Sequence, residues 1–72
     1  MSAGYVLVQT EARAVGVVHA LLAADGRVVR VDPVTGPYDL IAAVDSDPGG
    51  VVAMLGGSGG VTRTLTCPVP PR

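Results

Sequence analysis

The first apolar run, Tyr5-Val6-Leu7-Val8 followed by Gln9 and Thr10, is short, β-branched and aliphatic and is bounded by Gly4; it predicts a buried strand. Thr10 and Glu11 then stand where a helix begins. The hydroxyl suits an orphan amide of the first turn, and the carboxylate suits the positive helix end. From Ala12 to Ala24 the spacing turns helical, with Ala14, Val15, Val18, Leu21 and Leu22 on one face and Arg13, Gly16, Ala20 and Ala23 opposite. Asp25 and Gly26 end this helix, the glycine supplying a left-handed stop.

Arg27 to Val34 predicts a second strand carrying Val28, Val29, Val31 and Val34, and Pro33, which cannot donate to a ladder, places it at a sheet edge. Thr35, Gly36 and Pro37 signal a turn. Tyr38 to Val44 is apolar on both parities and predicts a third, central strand. Asp47 and Pro48 repeat the helix-start signature, a capping side chain with Pro at the first helical position. The helix they open is weak, because Gly49, Gly50, Gly56 and Gly57 each cost about 1 kcal/mol relative to Ala. Roughly two turns anchored by Val51, Val52, Met54 and Leu55 are expected, then a mobile run from Gly56 to Gly60. Val61 to Cys67 alternates strictly, with Val61, Arg63, Leu65 and Cys67 on one face and Thr62, Thr64 and Thr66 on the other. Pro68, Pro70 and Pro71 are expected to stop pairing and leave residues 68–72 as an extended tail.

The order is β-α-β-β-α-β, which predicts an α+β, ferredoxin-like fold: a four-stranded antiparallel sheet with two helices on one face, formed by two right-handed crossovers. The other face is left bare. Because the first and third strands are apolar on both sides, that face is expected to be covered by a second subunit.

Length and composition sharpen this expectation. The chain has 72 residues, 49% hydrophobic and 15% charged, with a formal net charge of -1. It is one small domain, and a chain this short buries only about 60% of its unfolded surface. With no Phe, no Trp and two Tyr, its core must come from Val, Ala and Leu. Five Arg against six acidic residues, with no Lys, leave no basic excess for a nucleic-acid footprint. A single cysteine, Cys67, excludes an intrachain disulfide framework and a Cys-rich zinc site. No basic segment followed by an apolar run opens the chain, and no stretch approaches the roughly 20 apolar residues of a membrane span, so a cytoplasmic protein without membrane partners is expected.

Catalytic chemistry is hard to assemble from these residues. The run Gly56 to Gly60 lacks the Lys-Ser/Thr ending of a phosphate loop and the spacing of a dinucleotide fingerprint, and reads as a connection. His19 flanks the apolar helix face with no acid in register, and Cys67 has no activating base or cation beside it. One His, one Cys and scattered acids give no triad, carboxylate pair or metal cluster, so neither an enzyme nor a cofactor or metal is expected.

The order of elements, the segment Val34-Thr35-Gly36-Pro37-Tyr38-Asp39 and the closing Thr62-Arg63-Thr64-Leu65-Thr66 together resemble the effector-binding (RAM) domain of the Lrp/AsnC family of transcription regulators, over about residues 4–67. Two departures stand out. The winged helix-turn-helix that usually precedes this domain is not among the 72 residues, so the resemblance is to a free-standing effector domain, or to an excerpt of a longer chain, with no direct DNA binding. The second helix is also shorter than the family's.

The resemblance implies a homodimer made by packing two sheets face to face, rings of dimers, and a small effector, usually an amino acid, held between dimers near the Gly-x-Tyr-Asp loop. The residues there suit such a ligand. Gly36 permits close backbone approach, Asp39 suits an ammonium group, Tyr38 offers an apolar ring with a polar tip, and Thr62 and Thr64 bring hydroxyls to a carboxylate. The same residues also read as a turn and a solvated strand face. The leading expectation is an effector-binding and oligomerisation domain acting indirectly on transcription, alone or co-assembled with a full-length Lrp/AsnC regulator. The alternatives are an oligomerisation module with a vestigial pocket and a small dimeric ferredoxin-like enzyme, the latter requiring a deep cavity holding His19 or Asp39.

Overall fold

The computed structural model describes residues 3–69. Strand β1 runs Ala3–Thr10, helix α1 Val15–Ala24, strand β2 Val28–Pro33, strand β3 Leu40–Val44, helix α2 Pro48–Leu55 and strand β4 Val61–Val69, with a 3-10 turn at Ala12–Ala14 ahead of α1. The sheet order is β2-β3-β1-β4 and every pairing is antiparallel. This is the ferredoxin-like arrangement that the element order predicts, with β3 central and β2 at an edge.

The core is aliphatic, as the composition requires. Val6 and Val8 of β1 and Leu40, Ala42 and Val44 of β3 meet Val18 and Leu22 of α1 and Val51 and Leu55 of α2, each at most 4% exposed. Alternation along β1 and β3 sends the other set, Tyr5, Leu7, Ile41 and Ala43, to the opposite face. Among the described residues no helix covers that side, and Tyr5 remains 47% exposed.

Several local expectations are corrected. Thr10 does not cap: neither the turn at Ala12 nor α1 has a side-chain cap, and the Thr10 hydroxyl is buried with no partner among the described residues. Leu21 lies on the exposed side of α1, and the helix is anchored by Val18 and Leu22. Gly26 is not left-handed, since the positive φ angles belong to Gly36, Gly59 and Gly60. Asp25 ends α1 instead, in extended backbone, with its carboxylate accepting the Arg27 amide at 2.9 Å. At α2 the sequence signature holds, the Asp47 carboxylate accepting Gly49 N–H at 3.1 Å with Pro48 at the first position.

The remaining differences concern β4. Pairing does not stop at Pro68, because Gly4 lies opposite Pro68 and Ala3 opposite Val69. Gly4 is therefore inside β1, where a side chain would strike the Cys67 carbonyl at 2.7 Å. A bulge between Gln9 and Thr10 sets Val61 opposite Thr10, so Val61 turns toward the core while Arg63, Leu65 and Cys67 keep the open face. The glycine run is also more tied down than expected: Gly56, Gly57 and Ser58 amides donate to Val52, Met54 and Leu55, and the Gly60 carbonyl accepts from Glu11. The expected tail at Pro70 and Pro71 lies outside the described residues.

Candidate functional site

The loop from Val34 to Asp39 closes on itself and on β1. Val34 N–H donates to the Asp39 carbonyl and Asp39 N–H to the Val8 carbonyl, both at 2.9 Å. Gly36 sits at φ +126, a conformation that side-chain-bearing residues rarely adopt, and nothing lies within 4 Å of where a Cβ would be. Asp39 uses Oδ2 to accept the Thr10 amide at 2.8 Å. Its Oδ1 accepts no hydrogen bond among the described residues. Tyr38, in the same loop, is half-buried.

Gln9 joins this loop to β4. Its Nε2 donates to the Pro37 carbonyl at 2.8 Å, and its Oε1 accepts from the Thr62 hydroxyl at 2.9 Å. The structure thus gathers Gly36, Tyr38, Asp39 and Thr62 at one end of the sheet. Thr64 is set apart, since it pairs with Val8 and shares the helix side of the sheet. Thr62 and Thr64 both line a groove of about 260 Å³ between β4 and the end of α2, bounded by Val52, Leu55 and Gly56. Sequence reasoning missed Gln9, although a polar residue ending an otherwise apolar strand, on the parity of Tyr5 and Leu7, is a usable signal.

A second concavity of about 360 Å³ lies on the open face, lined by Tyr5, Leu7, Ile41, Ala43 and Cys67 with Arg30 and Asp32 at its rim. Neither His19 nor Asp39 lines either hollow. Arg30 and Asp32 form an exposed ion pair at 2.7 Å. Arg27 pairs with Asp25 at 2.7 Å, and that hydrogen-bonded guanidinium lowers the Asp25 carboxyl to about pKa 2. Among the described residues no three of His, Cys, Asp and Glu come together as metal ligands, and no helix is long and apolar enough to cross a membrane.

A scan against protein-family models and a search of curated proteins return no match. Solved structures do match. TTHA0845 from Thermus thermophilus superposes with a TM-score of 0.84 at 31% identity, over 100% of this chain and 96% of that one. FFRP-DM1 superposes with a TM-score of 0.80 at 24% identity, over 97% of this chain and 100% of that one. AsnC of E. coli gives a TM-score of 0.82 at 16% identity; 99% of this chain is covered, and it spans 52% of AsnC. With full-length kinship to TTHA0845, and a fold shared with FFRP-DM1 and with about half of AsnC, the chain belongs to the Lrp/AsnC family.

Proposed function

We propose that this domain binds an amino acid or a similar small molecule at the end of the sheet that carries Gly36, Tyr38, Asp39 and Thr62, as part of a dimer or ring of dimers that acts indirectly on transcription. The observation that supports it most is the Gln9 clamp, which holds the loop and β4 at one end, while Asp39 Oδ1 accepts no hydrogen bond among the described residues. A carboxylate oxygen in that position suits an ammonium group. The apolar open face supports the dimer, because Tyr5, Leu65 and Val69 stand 46–47% exposed on one side of a thin domain. A full-length Lrp/AsnC regulator is the corresponding partner for co-assembly.

Calorimetry against the twenty amino acids, with sedimentation velocity on the same samples, tests the reading. Heat with at least one amino acid is expected. No heat with any of them in an assembled sample overturns it. A second reading, an oligomerisation module without a ligand, is favoured by one observation: Asp39 Oδ2 and the Thr62 hydroxyl already have partners inside the chain. It predicts one assembly size with and without every amino acid tested.

A further inference from the structure

We infer that the groove between the end of α2 and β4 binds a small aliphatic monocarboxylate that carries no ammonium group. None of Gly36, Tyr38 and Asp39 lines this groove, and the inference does not rest on the effector reading.

Charge defines the head of the ligand. Arg63 is the one charged residue on the lining, and no acid stands beside it there. Its guanidinium forms no ion pair among the described residues, whereas Arg27 and Arg30 are each held by a neighbouring aspartate. A carboxylate is the planar anion that a guanidinium meets with two parallel hydrogen bonds. The Gly59 amide and the Thr64 hydroxyl, on the same lining, donate to nothing among the described residues. Thr62, by contrast, has given its hydroxyl proton to Gln9. The last carbonyls of α2 would repel an anion if bare, but those of Val52, Met54 and Leu55 accept the amides of Gly56, Gly57 and Ser58.

The same lining rejects a zwitterion. With no carboxylate in the groove, the ammonium of an amino acid would be desolvated beside a guanidinium and find no anionic partner.

The opposite wall sets the body. Val52, Leu55 and Val61 are apolar and pack on the core, so they offer a methylene chain a fixed surface. Gly56 and Gly59 bring no side chain, which leaves the space between that wall and Arg63 open. The groove measures about 260 Å³. At the ~30 Å³ that a water occupies in the liquid, it admits about eight non-hydrogen atoms, a carboxylate on about five carbons.

Amide chemical shifts of the isotope-labelled full chain, titrated with hexanoate, test this. Saturating shifts are expected at Val52, Leu55, Gly59 and Thr64. Hexanamide, which lacks the charge, and norleucine, which adds an ammonium, are each expected to bind these residues roughly tenfold or more weakly, the loss that follows when a hydrogen bond to a charged group is removed. Arg63→Gln is expected to weaken hexanoate to the same degree. Should that variant fail to fold, the comparison of hexanoate with hexanamide on the unaltered chain decides alone. No saturating shift in the groove, shifts at Tyr5, Leu7 and Ile41 of the open face instead, or hexanamide or norleucine matching hexanoate would overturn the inference. Amides of the loop from Gly36 to Asp39 report the effector reading and those of the groove this one, so either can fail without the other.

Discussion

Asp39 is where folding and the proposed ligand recognition are separable by substitution. Its Oδ2 accepts the amide of Thr10, a residue 9% exposed, at 2.8 Å, and so ties the loop after β2 to the end of β1. Asp39→Ala leaves that buried N–H without an acceptor. A hydrogen bond to a charged group contributes about 1.5–3 kcal/mol, and an orphaned donor costs a similar amount. For a domain of this size, whose whole stability is about 4–11 kcal/mol, that is a large share. With a urea dependence of about 1 kcal/mol per molar, the unfolding midpoint should fall by roughly 1.5–3 M. Asp39→Asn keeps an oxygen for Thr10 and should lose less than half as much. Both are measured at one fixed protein concentration, because assembly adds to apparent stability. Calorimetry on the Asn variant then reads the other oxygen: it should stay folded and assembled yet give no heat with the amino acid that the unaltered domain binds. A loss below about 0.5 kcal/mol for Ala, or equal losses for Ala and Asn, would refute the assignment of Asp39 as the charged acceptor for Thr10.

Three further outcomes follow from the packing and the Asp25–Arg27 ion pair. Gly4→Ala places a Cβ 2.7 Å from the Cys67 carbonyl, 2.9 Å from Pro48 Cγ and 3.0 Å from Pro68 Cα, mostly backbone that cannot give way. It should destabilise by about 1–3 kcal/mol, lowering Tm by roughly 5–15 °C in a thermal melt. Gly16→Ala, on exposed α1 with nothing within 4 Å, should instead raise Tm, since alanine favours a helix by about 1 kcal/mol over glycine. The Asp25 carboxyl lies at about 2 in the folded chain against an ordinary 3.8, so its contribution is complete above about pH 4 and is lost as the pH falls toward 2. Urea midpoints measured from pH 5 to pH 2 should therefore drop less steeply for Asp25→Asn than for the unaltered chain. Parallel curves for the two would exclude the Arg27 pairing as the cause.

What was legible in the sequence is what short-range chemistry decides. The aliphatic runs marked β1 and β3 as strands covered on both sides, and the Asp47-Pro48 pair marked the start of α2, because each is determined within one strand or one turn. What was illegible depends on neighbours distant in the chain. Thr10 has the chemistry of a cap, but its amide is taken by Asp39, 29 residues away, and its hydroxyl is left inside. Gly4 looked like a strand boundary and is a contact point for β4, more than 60 positions later.

The candidate site divides along the same line. Gly36, Tyr38 and Asp39 were visible as a loop with suitable groups, while the residue that connects them to Thr62 was marked only as a polar position in an apolar strand, with nothing local to say what it reaches. Gln9 uses both ends of its amide, one on the Pro37 carbonyl and one on the Thr62 hydroxyl. It occupies the parity of Tyr5 and Leu7 and so stands at the border between the open face and the loop. A second copy seated on that face would border Gln9 and, through it, both halves of the site. On the proposed reading, assembly and ligand recognition are therefore expected to be coupled at one side chain rather than carried by separate surfaces.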